Sequence, residues 1–254
     1  KINRLKENKI KYEILSEKLE KSGEPQISTT DEDARALLVH GQVVEVSYNT
    51  QAAVDEKHKL VIATHTINKN DRNALSRISI EAKENINANN ITVLSDKGYH
   101  NGREIQTCKD NDIDTICAQQ IIINTNEKGT TPEYLVTHFT YNKETDTYTC
   151  PQEETLTTTG TWHKKTRERD SHQFKKYRTP ACKNCAVKSL CTGREKGGRE
   201  IDRSEFADAV DENTARYNNN KDLYRKRQEI NEHIFGTIKR QWGYNHTNLK
   251  GQIG

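Results

Sequence analysis

The spacing of apolar positions divides the chain into a helical start, a mixed middle and a helical end. Residues 1–22 carry apolar side chains at helical spacing among charges, which predicts an amphipathic helix that ends at Gly23 and Pro25. From Val43 the period changes, and the segments "VVEVSYNTQAAV" and "LVIATHTI" are rich in β-branched residues. A four-residue polar link joins these segments, so an antiparallel hairpin is predicted.

Helix and strand patterns alternate after the hairpin. We predict a helix over about 72–87, a strand in "ITVLSD", a helix in "GREIQTCKDNDI" and a strand in "DTICAQQIII". This order indicates an α/β fold with a mixed sheet. Residues 125–149 are polar and are predicted to form a loop, and a long helical pattern covers about 203–240.

Composition lowers the expected size of the core. Hydrophobic residues make up 31% and charged residues 30% of the 254 positions, which favours long exposed surfaces or an incomplete set of buried elements. No apolar run approaches the length of a membrane span and no signal peptide opens the chain, so we expect a cytoplasmic protein without a membrane partner.

Charge is distributed unevenly along the chain. Residues 1–149 carry 19 Lys/Arg against 23 Asp/Glu, whereas residues 150–254 carry 21 against 14. The basic half is therefore the first place to look for a polyanion partner, although an ordinary solvated surface accounts for many such excesses.

Six cysteines are present, and four of them lie in one segment. Cys182, Cys185 and Cys191 form a close trio, and Cys150 precedes them. Four thiolates at such spacing can close a tetrahedral Zn²⁺ site; the alternative is a set of free cysteines in a small satellite core. The remaining two, Cys108 and Cys117, lie in the core pattern and are expected to be packing residues.

Basic and aromatic residues alternate in the same segment. This mixture suits contact with a DNA backbone plus base stacking, and it equally suits an exposed loop. The residues concerned are Trp162, His163, Lys164, Lys165, Arg167, Phe174, Lys175, Lys176, Tyr177 and Arg178.

Asp96, in "ITVLSDKGYH", is the sharpest local feature. A carboxylate just past the carboxyl end of a buried strand lies where α/β sheets present ligands. Lys97 and Gly98 keep the backbone open there, and Tyr99 could lie against a sugar or base. The alternative is that Asp96 caps the element that follows.

Glu232, in "NEHIFGTIKR", is the second feature. On a regular helix Lys239 lies only about 20° around the axis from Glu232, which gives one face a carboxylate and an ammonium. An ordinary solvated stripe is the alternative reading. Gly236 in the middle of this helix indicates close approach by another element or a nucleic-acid backbone.

These motifs, in this order, resemble the DDE transposases of insertion sequences. The resemblance rests on "VSYNTQAAVDEKHKLVIATHTINKNDRNAL", "ITVLSDKGYH", the cysteine cluster and "NEHIFGTIKR", and it is greatest for the branch with a Cys-containing insertion. It implies a ribonuclease-H-like catalytic domain in which three acidic residues hold two Mg²⁺ or Mn²⁺ ions and promote hydrolysis and strand transfer of DNA phosphodiesters.

The family's site residues carry over to particular positions. Asp96 resembles the second Asp and Glu232 the Glu, which makes both expected catalytic metal ligands. Tyr224, Arg227 and Lys239 resemble the accompanying signature, but Arg227 stands one residue further from Glu232 than the strict pattern. The resemblance implies DNA-binding roles for Lys97, Tyr99, Tyr224, Arg227, Lys239 and Arg240.

The family's first Asp has no counterpart in an Asp-Gly-Thr-like turn. Asp31, Asp33 and Asp55 are candidates by residue type only, and Asp55 is better explained as a turn former. We expect the first strand and its Asp to lie upstream of Lys1, and the family to continue past Gly254. A chain with only two of three metal-binding carboxylates is expected to be inactive or severely impaired alone.

Four regions are predicted on this basis. They are an N-terminal helix and connector (1–40), a ribonuclease-H-like core lacking its first strand (41–149), a Cys-rich insertion (150–200) and a C-terminal helix with the last acidic residue (201–254). The implied partner is DNA at the terminal inverted repeats of an element, bound by a homo-oligomer. The competing hypothesis is a non-catalytic DNA-binding or zinc-binding remnant.

Overall fold

A computed structural model describes residues 2–39, 43–119, 130–167, 170–244 and 251. The chain divides into two compact units. The first comprises Lys1–Ala118 and Asn213–Gly254, and the second comprises Gln119–Glu212. Among the described residues, no helix combines the length and apolar character that crossing a membrane requires.

The first unit begins with the helix that the apolar spacing predicts. Helix α1 spans Ile2–Ser22, and Gly23 with φ of 62° follows it. Only Leu15 of this helix is buried, while Ile2, Leu5 and Ile10 are exposed. The helix therefore keeps most of its apolar face in solvent.

Two hairpins follow α1, where the sequence predicts only one. Strand β1 (Arg35–Val39) pairs antiparallel with β2 (Val43–Ser47), and β3 (Asn49–Val54) pairs antiparallel with β4 (Val61–Ile67). The β3–β4 hairpin is the predicted one. Residues 35–39 ("RALLV") form β1 because they pair with the first half of "VVEVSYNTQAAV", which the sequence predicts as a single strand.

The remaining elements of the first unit alternate helix and strand. A 3₁₀ turn (Asp71–Asn73) leads into α2 (Leu75–Asn85), which is followed by β5 (Ile91–Ser95), α3 (Gly102–Asp110) and β6 (Ile113–Cys117). Strands β5 and β6 are parallel, joined through α3 as a crossover. Helix α2 packs on β4 through Ile78, Ala82 and Ala63.

The second unit contains two small antiparallel sheets. Strands β7 (Thr140–Asn142), β8 (Thr147–Thr149) and β9 (Thr155–Leu156) form one, and β10 (His163–Arg167), β11 (Asp170–Arg178) and β12 (Glu200–Ser204) form the other. Helix α4 (Lys188–Cys191) lies between β11 and β12 in sequence. The prediction of a loop over 125–149 is wrong for its end, where the short β7–β8 hairpin forms.

The C-terminal helical pattern is interrupted more often than the sequence suggests. Helix α5 spans Ala207–Asn219, α6 spans Lys221–Gly236, and a π-helical turn covers Thr237–Gln241. Together with the strands, these helices confirm the α/β class. Within the described residues the strands form five separate sheets, so the single mixed sheet expected for a ribonuclease-H-like core is not seen there.

The outer edge of β6 is satisfied by side chains from α5. Asn213, fully buried, donates from Nδ2 to the Cys117 carbonyl at 2.8 Å and accepts from the Cys117 amide at 2.9 Å. Arg216 donates from Nε to the Thr115 carbonyl at 3.0 Å. Because unpaired backbone groups at a buried strand edge are costly, these contacts fix the end of the strand that lies beside β5.

Candidate functional site

Asp96 lies immediately after β5, at the carboxyl end of the strand. Its side chain accepts a hydrogen bond from the Lys97 amide at 2.6 Å and so caps the 3₁₀ turn Lys97–Tyr99. Its carbonyl accepts from Cys117 Sγ at 3.2 Å. The Asp96 side chain nevertheless remains 54% exposed. The capping alternative is therefore correct locally, but it leaves most of the carboxylate available to solvent or a ligand.

Arg227 faces Asp96 from α6, a helix that contacts β5. Its guanidinium Nη2 lies 3.9 Å from Asp96 Oδ1, at the outer limit of an ion pair, and the Arg227 side chain is only 18% exposed. The guanidinium also lies 5.3 Å from the centre of the Tyr224 ring. Its Nε is buried and has no hydrogen-bond partner in the described part of the chain. This cation is therefore only partly neutralised by Asp96.

A second carboxylate, Asp71, lies near Asp96, and the sequence reasoning missed it. Asp71 Oδ1 accepts hydrogen bonds from Asn49 Nδ2 at 2.7 Å and from Gln51 Nε2 at 2.9 Å. Asn49 and Gln51 are two residues apart on β3, so both amides project from the same face of the strand. In the sequence, the spacing of these two amides is what indicates the site. Asp71 itself resembles a residue of a helix cap.

Tyr99 connects the two carboxylates. Its hydroxyl donates to Gln51 Oε1, which links it through Gln51 to Asp71. Burial, followed by the charges of Asp71 and Asp96, raises the pKa of Tyr99 well above its usual range. At Gly98 a Cβ would lie 3.4 Å from Asp71 Oδ2, so the small residue allows this turn to approach the carboxylate. Tyr99 is thus a neutral, hydrogen-bonded part of the site.

Glu232, the other expected catalytic carboxylate, is exposed on α6. A π-helical turn begins at Thr237, between Glu232 and Lys239, so the regular helix assumed for their alignment ends before Lys239; the alignment itself stays a prediction. Lys239 places Nζ 5.8 Å from the Phe235 ring centre. Among the described residues, nothing lies within 4 Å of a Cβ placed at Gly236, so close approach by another element of the chain is not seen there, and the nucleic-acid alternative stays a prediction.

The remaining aspartate candidates lie in local turns. Asp31 accepts from the Tyr48 hydroxyl at 2.8 Å and from the Asp33 amide at 3.2 Å. Asp55 accepts from the His58 amide at 2.5 Å in the β3–β4 connection, as a turn former does. These contacts give each carboxylate a local structural role.

The expected two-ion centre is only partly matched by this geometry. Asp71 and Asp96 are hard oxygen donors of the kind that Mg²⁺ and Mn²⁺ prefer. However, among the residues that the structure describes, no group of three or more His, Cys, Asp or Glu side chains is placed to hold a metal ion. Asp96, Asp71 and Glu232 are thus not gathered around one point.

The comparison with family models identifies the C-terminal part of the chain. Residues 149–254 match the model described as the transposase DDE domain. The comparisons with curated proteins and with solved structures give no match. The match confirms the resemblance to DDE-type transposases, while the branch with a Cys-containing insertion stays a prediction.

The matched DDE segment contains α6 with Arg227 and Glu232, whereas Asp96 and Asp71 precede it. The Asp96–Arg227 contact therefore joins the matched segment to the β5 strand within the first unit. The other α6 candidate, Tyr224, is half-buried and packs edge-on against Tyr217, with ring centroids 4.9 Å apart. Arg240 and Lys239 are exposed at the end of this helical segment.

The matched DDE segment also contains the four clustered cysteines, which are free thiols of intermediate exposure. The two other cysteines are buried packing residues, as expected. Burial raises the pKa of Cys108 to about 12 and that of Cys117 to about 11, so neither is a thiolate at neutral pH.

The basic and aromatic residues of β10 and β11 are divided between surface and core. Phe174 and Tyr177 are buried, so they are not available for stacking on bases. Lys175 binds Asp146 at 2.8 Å and Lys176 binds Glu200 at 2.6 Å. Trp162 remains 48% exposed. The predicted surface for base stacking is therefore smaller than expected, because Phe174 and Tyr177 belong to the core of the second unit.

Proposed function

We propose that this chain is part of a DNA transposase that binds the terminal inverted repeats of its own element and promotes hydrolysis and strand transfer of DNA phosphodiesters. The observation that carries the proposal is the Asp96–Arg227 contact, which places a strand-end carboxylate beside a helix of the transposase DDE domain. Acting on DNA in this way implies a cytoplasmic protein and, at two DNA ends, a homo-oligomer.

The site residues have distinct roles in this proposal. Arg227 is a mostly buried cation with unused donor capacity, so it can bind a phosphate oxygen. Asp96 and Glu232 supply carboxylates, and Lys97 and Tyr99 belong to the turn that Asp96 caps. Transposase DDE domains generally use divalent ions such as Mg²⁺. The described carboxylates do not gather around one point.

Asp71 is included in the proposed site although no family position was assigned to it. Tyr99 lies in the electrostatic field of both Asp71 and Asp96, so the two carboxylates border the same small region. The proposed architecture remains a ribonuclease-H-like core built on the β3–β4 hairpin and the parallel β5–β6 pair.

The DNA contact is proposed to include the exposed cations after α6. A double substitution, Lys239→Gln with Arg240→Gln, should lower the dependence of DNA affinity on salt by about two phosphate contacts, because each contact contributes a slope of about 0.9. Fluorescence anisotropy with a 30-base-pair duplex at several salt concentrations measures this slope. The control Lys9→Gln with Lys11→Gln, exposed on α1, should leave it unchanged. Equal slopes for both pairs would remove this contact from the proposal.

The second candidate function is a non-catalytic DNA-binding or zinc-binding remnant of a transposase. The observation that favours it is the lack of a three-carboxylate group among the described residues. The two functions differ in one property, because only the enzyme cleaves phosphodiesters in a metal-dependent way.

Nicking of supercoiled plasmid DNA in Mg²⁺ or Mn²⁺ distinguishes the transposase from the non-catalytic remnant. The protein expressed from its complete reading frame should nick the plasmid, and Glu232→Gln should lower the rate on the order of 10²-fold or more. Glu229→Gln, also exposed on α6, is the matched control and should retain activity. Equal rates for all variants would contradict the proposed role of Glu232, and DNA binding without nicking by any form would favour the remnant.

A further inference from the structure

Four cysteines of the second unit line one cavity of about 460 Å³. Cys150 follows β8, Cys182 lies in the 3₁₀ turn Pro180–Asn184, Cys185 follows that turn and Cys191 ends α4. All four are free thiols of intermediate exposure. The four cysteines therefore meet at one cavity, although the β10–β11 hairpin separates Cys150 from the other three in the sequence.

Three of these cysteines, Cys150, Cys185 and Cys191, lie in tight backbone turns. The Cys150 amide donates to the Glu154 carbonyl at 2.9 Å, and the Cys150 carbonyl accepts from the Glu153 amide at 2.9 Å. The Lys188 amide donates to the Cys185 carbonyl at 3.2 Å, and the Cys191 amide donates to the Val187 carbonyl at 3.1 Å. Hydrogen bonds therefore fix the backbone at these three cysteines.

A close backbone approach supports the same arrangement. A Cβ on Gly198 would lie 2.2 Å from Cys182 Cβ and 2.9 Å from its sulfur. Only glycine lets the segment before β12 pass this near to Cys182. The next residue, Arg199, is 6% exposed and donates from Nη1 to the Cys191 carbonyl at 3.4 Å.

The buried Arg199 side chain lines the same cavity as the four cysteines. Several thiolates in such a place repel each other unless a cation lies between them.

We propose that Cys150, Cys182, Cys185 and Cys191 together bind one structural Zn²⁺ ion. Four thiolates around Zn²⁺ form a closed tetrahedral site with Zn–S distances of about 2.3 Å. Binding releases the thiol protons and leaves a net charge of −2, which the buried Arg199 guanidinium partly offsets. Within the described residues no group is already in ligating geometry, so the sulfurs must turn inward on binding.

The second unit has a small hydrophobic core that a bound ion would stabilise. Among its described residues, the buried apolar cluster consists of Phe139, Tyr148, Leu156, Tyr177 and Ile201, against which Cys150 and Cys191 pack. Small units with few buried apolar side chains commonly depend on a metal or on disulfides. The ion would join the β8–β9 turn to the segment between β11 and β12, and this role does not depend on catalytic activity.

Metal analysis of the purified 254-residue chain tests the proposal. The chain should retain about one zinc per molecule after dialysis against metal-free buffer, and Cys182→Ser or Cys185→Ser should lose it. Cys108→Ala, which removes a buried cysteine of the first unit, is the matched control and should retain zinc. No bound zinc, together with four freely titrating thiols, would overturn the proposal.

Two further measurements keep the test decisive if a cysteine variant fails to fold. The unaltered chain loaded with Co²⁺ should show thiolate-to-cobalt charge-transfer bands and the intense visible bands of a tetrahedral ion, and a weak octahedral spectrum would contradict the assignment. Arg199→Gln should weaken zinc affinity on the order of 10-fold, whereas Arg194→Gln, which is exposed, should not. Equal affinities would remove Arg199 from the site.

Discussion

Two aspartates adjoin short strands but have very different surroundings: Asp146 precedes β8 in the second unit, and Asp96 follows β5 in the first. Asp146 accepts hydrogen bonds from the Tyr141 hydroxyl at 2.8 Å, from the Tyr177 hydroxyl, and from Lys175 Nζ at 2.8 Å. Asp96 has the Lys97 amide at 2.6 Å and the Arg227 guanidinium at 3.9 Å, with 54% of its side chain exposed. The Asp146 carboxylate thus accepts hydrogen bonds from three side chains. The Asp96 carboxylate accepts from one backbone amide and can still bind a ligand.

This difference separates polar groups that stabilise a fold from polar groups held ready for a ligand. Hydrogen bonds to a charged group contribute about 1.5–3 kcal/mol, and the network around Asp146 collects several of them. A half-exposed ion pair such as Asp96–Arg227 contributes about 0–1 kcal/mol. We therefore expect substitutions around Asp146 to reduce stability, and substitutions of Asp96 to reduce activity while leaving stability nearly unchanged.

The largest expected loss of stability is for Arg203→Met. Arg203 is buried, donates to Asp208 at 2.6 Å and to Asp211 at 2.8 Å, and lies 3.6 Å above the Tyr141 ring centre. Its loss should lower the free energy of unfolding by about 2–3 kcal/mol in urea titration. Arg225→Met, whose ion pair with Asp222 is exposed, should change it by less than about 0.5 kcal/mol. Similar values for both would show that the buried network contributes little.

A smaller loss is expected for Tyr177→Phe. This side chain is fully buried, so the variant removes only the hydroxyl that donates to Asp146. The free energy of unfolding should fall by about 1–2 kcal/mol, since Asp146 loses one of three side-chain donors. Tyr12→Phe on the exposed face of α1 is the control. No difference between the two variants would argue against saturation of Asp146.

Asp146 also predicts a dependence of stability on pH. The Lys175 hydrogen bond, followed by that of Tyr177, lowers the pKa of Asp146 from 3.8 to about 2. Because the folded pKa is the lower one, this stabilisation is complete above about pH 4 and is lost as the pH falls toward 2. After allowance for its partial exposure, Asp146→Asn should remove about 1 kcal/mol of stability at neutral pH and flatten the curve between pH 4 and 2. An unchanged slope there would contradict the lowered pKa.

The smallest effect on stability is expected for Asp96→Asn. The amide can still accept from the Lys97 amide, so the cap persists and only the weak attraction of Arg227 is lost. Thermal and urea unfolding should differ from the unsubstituted protein by less than about 0.5 kcal/mol. A loss comparable with that of Arg203→Met would mean that Asp96 is a structural residue like Asp146.

Local patterns allowed several features to be predicted from the sequence. Helical spacing predicted α1, β-branched runs with a polar link predicted the β3–β4 hairpin, and the end of an apolar strand located Asp96. The site around Asp71 was not predictable in this way. Its contacts join β3 to a turn some 20 residues later, and they depend on which face of β3 points inward.

Other errors came from interactions that a linear pattern does not carry. Pairing with β2 makes a strand of 35–39, and a π-helical turn after Gly236 interrupts the regular helix that the sequence predicts there. In the second unit, Phe174 and Tyr177 became core residues because that unit has few other large apolar side chains. Tertiary context decided each of these cases.

The most direct measurement is the rate of plasmid nicking by Asp96→Asn, determined beside its unfolding free energy in the same preparation. The protein should be expressed from its complete reading frame and assayed in Mg²⁺ and in Mn²⁺. The proposed transposase function predicts a loss on the order of 10²-fold or more in nicking with unchanged stability. Nicking at the unsubstituted rate by a folded Asp96→Asn protein would contradict the central claim that this carboxylate belongs to the DNA-processing site.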